Sequence, residues 1–417
     1  MMQKLIFSKH RINPIIRKIS RPSESPDFSL PFLLYIIAWL LLPPPILNNF
    51  TPYSTPGGFL LFKFHPATWI FTIWLFTSNI GWPEKFFAIS KENIVVLILS
   101  ITLCSHLILL ERFALLSTFI DIIVVPSIIS KIILSETIKI RISLITNSVL
   151  IIIFFTAIAL YIEVGTGFRF VEREGYDPYN RPGGWHGHPL AAATIILAGI
   201  ILVGCRSSDA DYPGIIIAIF LFGGIIISGT RGPLFVGGIC IAIIFIKKMV
   251  YGNITGKLGI FTSFLVIIPT TLVYAAEFGA FDRFFSLGFD DDSAEARRGI
   301  WDVFYLLTKS ELFFGISDYD VIADLALTTS GVPYVENAFV LVCLQSGVVA
   351  AIIYFIIVIW LCLSASIINI SYGLVVLGAF LGTIAFATKG TAAPLIILTG
   401  TIVIAKSQKK QKTKLLK

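Results

Sequence analysis

The stretch ISLITNSVLIIIFFTAIALYIEV, residues Ile142–Val164, decides the fold class. It approaches the roughly 20 apolar residues that a helix needs to cross a bilayer. Its apolar residues run on without the alternation of a barrel strand, so it reads as a membrane helix. Working outward, comparable segments lie at about 30–47, 66–82, 93–110, 113–134, 188–204, 213–228, 233–246, 259–276, 337–362, 373–387 and 391–405. The expectation is one all-α polytopic membrane domain over 1–417 with about twelve transmembrane helices. Pro43, Pro44 and Pro45 should break the end of the first helix.

Composition supports that class. The chain of 417 residues is 56% hydrophobic and only 14% charged, with a mean hydropathy of +0.87. A soluble domain has no interior large enough for that share of apolar surface. The net charge of +7 does not point to nucleic acid, because its basic runs, Lys4–Arg21 and Lys406–Lys417, sit at the two ends as cytoplasmic flanks do. The five cysteines lie in apolar segments or at an inner end, which argues against a disulfide framework. A polar stretch precedes the first apolar run, and no small-residue cleavage site follows it, so a cleavable signal peptide is not expected.

With the N-terminus inside, 21 of the 32 Lys and Arg fall on the inner side and 11 on the outer side. That bias gives both termini inside and two long outer loops, 165–187 and 277–336. In the larger loop, Asp290, Asp291, Asp292 and Ser293 suit a helix start. Ile300, Trp301, Phe304 and Leu307 then recur at helical spacing within Ala294–Thr308. An amphipathic helix is expected there, lying on the membrane or capping the bundle.

The outer side nevertheless holds Arg169, Arg173, Arg181, Arg231, Arg283, Arg297 and Arg298. Short outer loops normally avoid such residues, so a cluster of guanidinium groups suggests an anionic ligand, with a phosphate or pyrophosphate leading. Three outer turns lead into inward-running helices: Arg181-Pro-Gly-Gly-Trp-His-Gly-His188-Pro189, Gly229-Thr230-Arg231-Gly232-Pro233 and Val335-Glu336-Asn337. Helix N-termini present free N–H groups to anions, and glycines allow the backbone to approach them closely. Plainer readings stand beside these. Arg231 would snorkel, Arg297 and Arg298 would pair with Asp290–Asp292, and Arg169 and Arg173 would be loop surface. His186, His188 and Trp185 would be interfacial side chains, and Glu336 would complement a helix dipole. Asp121 and His106 fall within spans, where ionisable groups are costly, and the sequence assigns them no partners. A phosphate-binding P-loop, an HExxH pair, a Cys-rich metal site and a Gly-x-Ser-x-Gly elbow are all missing from the sequence.

Taken in order, these turns resemble motifs of the O-antigen ligase/polymerase superfamily of bacterial envelope glycosyltransferases. Arg181-x-x-Gly184-x-x-x-His188-Pro189 is similar to the family's Arg-x-x-Gly turn before a helix. Ile227-Ser-Gly-Thr-Arg231-Gly232 resembles its Ser-x-Ser-Arg-Gly motif. Arg298-x-x-Trp301 followed by Phe313-Phe314-Gly315 looks like the start of its large outer loop. Glu336-Asn337, with Gly347 and Ala350 beyond, resembles the ligase pattern of His-Asn, nine residues, Gly, two residues, Gly. The likeness covers roughly 180–360 and the span plan. Glu336 departs from the ligase His, and Ala350 from the final Gly; the carboxylate fits the polymerase side better.

The resemblance implies a metal-independent enzyme, without cofactor, of the cytoplasmic (inner) membrane, working on its periplasmic or extracellular face. It would polymerise undecaprenyl-diphosphate-linked repeat units into O-antigen, capsule or exopolysaccharide. Its partners would be the lipid-linked donor, the glycan acceptor, membrane lipids and a chain-length regulator. Arg231, Arg181 and Arg298 would hold the diphosphate, and Glu336 or His188 would be the base, with Asn337, Arg297 and His186 as further site candidates. The alternatives are a ligase moving glycan to lipid A core or another acceptor, and a transporter or lipid-linked oligosaccharide flippase.

Overall fold

The computed structural model describes residues 27–54, 59–78, 91–134, 141–171, 181–206, 212–251, 254–277, 296, 298–335 and 337–366. Among them the secondary structure is helical throughout. The first part runs α1 (Ser29–Leu41), α2 (Pro44–Asn48), α3 (Pro66–Thr77), α4 (Lys91–Leu109), α5 (Phe113–Phe119) and α6 (Val125–Leu134). A π turn over Ile120–Val124 joins α5 to α6. Then come α7 (Ile142–Thr166), α8 (Pro189–Arg206), α9 (Tyr212–Ile227), α10 (Arg231–Tyr251) and α11 (Ile254–Glu277). The remainder comprises α12 (Val303–Leu306), α13 (Lys309–Phe314), α14 (Tyr319–Ser330), α15 (Ala338–Ser346) and α16 (Val348–Ser366). Pro sits at the first position of α2 and α3, where its missing N–H costs nothing.

Helices occupy the expected apolar segments within the described residues, while 373–387 and 391–405 lie outside them. Ser143–Thr166, with a mean hydropathy of 2.3, is the one helix among the described residues long and apolar enough to span a bilayer; other apolar helices have 10–17 residues.

Two expectations are corrected. The segment 337–362 is not one helix: it breaks at Gly347, whose φ of +85° suits glycine, leaving the nine-residue α15 and the separate α16. The amphipathic helix expected to reach Thr308 turns extended at Leu307, because Thr308 caps α13 in a reciprocal box with Glu311. Ile300 and Val303 pack with Ile316, Ile322, Ala326 and Val335, and with Val340 and Leu344 of α15, in a small core that joins the large loop to that helix.

Packing orders the main bundle. A Cβ on Gly224 of α9 would meet Ala157 of α7 and Ile196 of α8, and one on Gly199 of α8 would meet Ile153 of α7 and Leu221 of α9. From the first crossing to the second, the numbering falls along α7 and α9 and rises along α8. So α8 is antiparallel to both. On α10, Gly237 faces Ile225 and Phe222 of α9, and the three-residue turn between Ile227 and Arg231 sends α10 back antiparallel to α9. The end of α11 joins the end of α7, where the Tyr274 hydroxyl donates to the Tyr161 carbonyl at 3.0 Å. One end of the bundle therefore gathers the C-termini of α7, α9 and α11 with the N-termini of α8 and α10.

Candidate functional site

The turn before α8 is built by glycines and held by one carboxylate. Gly184 and Gly187 have φ of +58° and +67°, a left-handed backbone that costs glycine nothing. A Cβ on Gly183 would come within 2.8 Å of the Gly187–His188 peptide, so the turn closes on itself too tightly for a side chain. Glu163, in the last turn of α7 and only 2% exposed, accepts from Gly183 N at 2.8 Å, Gly184 N at 3.0 Å, Phe170 N at 3.1 Å and Arg169 Nη1 at 3.1 Å. Arg169 also reaches the Arg181 carbonyl at 3.3 Å. Its place is thus in an ion pair rather than at the loop surface, whereas Arg173 lies outside the described residues. Sequence reasoning passed over Glu163; a lone acid at the end of a 23-residue apolar run was the signal that could have found it.

The same turn leans on α1. The Trp185 indole N–H donates to the Leu40 carbonyl at 3.2 Å, which seats this residue more firmly than an interfacial anchor. His186 is buried, and its Nε2 has no hydrogen-bond partner among the described residues. Burial pushes its pKa down to about 3, so the ring is neutral at physiological pH. His188 is exposed, and its Nδ1 accepts from Leu190 N at 3.2 Å. In the neutral ring that bond leaves the proton on Nε2.

Arg231 opens α10, half-buried, after Gly229 at φ +62°. Beneath it the buried Ser228 and Thr230 hydroxyls bond to each other at 2.7 Å. The Arg231 turn and the Arg181–Pro189 turn share one end of the bundle, as the helix directions require. The third turn opens α15. Asn337 Oδ1 accepts from Phe339 N at 3.0 Å and Val340 N at 3.2 Å, and the Phe339 ring stacks on Trp301 at 6.1 Å between centroids. That contact brings the Arg298-x-x-Trp301 element beside Asn337. Arg298 itself is exposed, while Glu336, Arg297 and Arg283 lie outside the described residues.

Not all helix ends are open to anions as expected. At α8 Pro189 has no N–H and His188 takes the next one; at α15 Asn337 takes two. The arginine side chains remain the candidates for an anion contact.

Asp121 and His106 acquire partners. Buried Asp121, on the π turn, accepts from Thr68 Oγ1 at 2.7 Å and His65 N at 3.0 Å, with the Tyr53 hydroxyl at 3.5 Å. His65 passes a proton bond on to the Leu42 carbonyl at 2.9 Å and stacks on Trp39 at 3.7 Å. The network pins the start of α3 to α1 and the π turn. His106 Nε2 meets the Ser346 carbonyl at 3.0 Å. Among the described residues no group of three His, Cys, Asp or Glu is placed to hold a metal ion. No protein-family model, curated protein or solved structure matches the chain.

Proposed function

We propose that the chain is a multi-pass glycosyltransferase of the cytoplasmic membrane that joins undecaprenyl-diphosphate-linked repeat units at the outer face. The reading of the motifs as those of the O-antigen ligase/polymerase superfamily underlies it. The observation that carries it furthest is the meeting of the Arg181 and Arg231 turns at one end of a helical bundle. Two arginine-bearing, glycine-rich turns at that end suit a diphosphate far better than they suit a structural connection. The membrane placement draws support from the outward faces of the helices, where Phe76, Leu109, Phe235 and Ile254 are 78%, 82%, 73% and 84% exposed.

The chemistry follows from those groups. An acceptor hydroxyl oxygen bonds to the anomeric carbon of the donor. The bond from that carbon to the phosphate oxygen breaks, and undecaprenyl diphosphate leaves with the electron pair. Arg231, Arg181 and Arg298 stabilise the charge that develops on the leaving group. Glu336 receives the hydroxyl proton. His188 suits a proton-donating contact better than the base role, because its Nδ1 is engaged.

The test is reconstitution. Purified protein in liposomes, given a lipid-linked repeat unit alone, should extend it into a ladder of longer lipid-linked chains. Transfer of finished glycan to lipid A core without any ladder would make the protein a ligase, and ATP- or gradient-driven translocation without new bonds would make it a transporter.

A further inference from the structure

Gly183, with φ −119° and ψ −10°, and Gly184, with φ +58°, form a right-handed then left-handed backbone pair. Successive N–H groups in that conformation point into one concavity, a nest for an anion. Here both N–H groups converge on the same atom, Glu163 Oε2, at 2.8 and 3.0 Å. We propose that Glu163 is a positioning residue whose carboxylate is the built-in anion of this nest, and that filling the nest sets the Arg181–His188 turn for the reaction proposed above.

Several observations converge. A charge 2% exposed is tolerated only where hydrogen bonds and a counter-charge replace water, and Glu163 has both. Its Oε2 takes three donors, two from the turn and one from Arg169, while Oε1 takes Phe170 N. The carboxylate thereby ties the start of the outer loop, residues 169–170, to its end, residues 183–184. Arg169 closes the same clasp from the other side through the Arg181 carbonyl. Neither glycine can be replaced without cost: a Cβ at Gly183 strikes the Gly187–His188 peptide, and one at Gly184 strains a left-handed residue. A consequence separates this nest from a phosphate site. With Glu163 in place its N–H groups are taken, so the donor's diphosphate must be held by arginine side chains.

A vacated nest should accept a small carboxylate, which gives the test. In full-length Glu163→Ala, trypsin should cut within the loop, after Arg169 or Arg173, about ten-fold faster than in wild type, as loss of charge-assisted hydrogen bonds frees the segment. Formate should restore the resistance, and the neutral isostere formamide should not. Chain extension in liposomes should fall by roughly a hundred-fold, the cost of misplacing a site by about 1 Å, and return over the same formate range. Glu163→Gln, which keeps the shape, should also lose protection and gain nothing from formate, because its side chain still fills the nest. Wild-type behaviour of Glu163→Gln in both assays, or equal effects of formate and formamide on Glu163→Ala, overturns the proposal. The inference rests on the glycosyltransferase reading only for the extension arm. Wild-type protein that extends nothing sinks that reading and leaves the trypsin arm to decide on Glu163.

Discussion

Arg112, just beyond α4, donates from Nε to the Gln345 carbonyl at the end of α15, 2.8 Å away. His106 meets the next carbonyl, that of Ser346, at 3.0 Å. The break at Gly347 leaves the last carbonyls of α15 without the partners that a continuous helix would supply. Two side chains of α4 and its end take that place, so Arg112 is tied into the fold through its Nε.

Arg112→Ala should therefore destabilise the protein by about 1.5–3 kcal/mol, the range for a hydrogen bond to a charged group. Thermal unfolding in detergent measures it. A variant with unchanged stability would mean that the bond is replaced by water at no cost.

Gly347→Ala should cost more. Its Cβ would collide with the Phe313 carbonyl, and its φ of +85° is one that alanine resists, so a loss of about 1–3 kcal/mol from the backbone alone is expected. Gly238→Ala is the control, because its Cβ would meet only Phe222 at 3.9 Å. Comparable midpoints for the two variants would contradict the tight seat of the break.

His186 predicts a pH effect of defined sign. Its pKa falls from 6.5 to about 3 on folding because burial disfavours the charged ring. Below pH 6.5 the unfolded chain binds the proton that the folded one refuses. The stability tied to the neutral ring is thus fully present above pH 6.5 and drains away as pH falls towards 3. His186→Asn should flatten that part of the stability profile. An unchanged slope in the variant would assign the acid sensitivity elsewhere.

Arg231→Ala should abolish chain extension while protein abundance stays near normal. Arg231→Lys should rescue poorly, since a point charge does not reproduce the bidentate fork. Full activity of the alanine variant would remove Arg231 from the diphosphate site.

Glu336→Gln should leave single repeat units on the lipid carrier and no long chains, with Glu336→Asp partly active. A carboxylate can take the hydroxyl proton and an amide cannot. A deletion strain that accumulates full-length polymer on the carrier would identify a ligase. Normal polymerisation by Glu336→Gln would make the residue a complement to the helix dipole.

The sequence by itself determined the helical class and the placement of the apolar helices, because uninterrupted apolar runs such as Ile142–Val164 leave the backbone no better way to satisfy its polar groups. It also marked the turns at Arg181 and Arg231, since glycine and proline constrain the backbone locally. Only the tertiary structure decided what those turns contact. Glu163 reaches Gly183 across 20 positions of chain, and Arg112 reaches Gln345 across 233, separations at which no local pattern carries information. The break at Gly347 was hidden for the same reason. Its surroundings are as apolar as a membrane helix, and what stops the helix is the approach of Phe313 and Ile316 from the large loop, a contact made by folding and not by neighbouring residues.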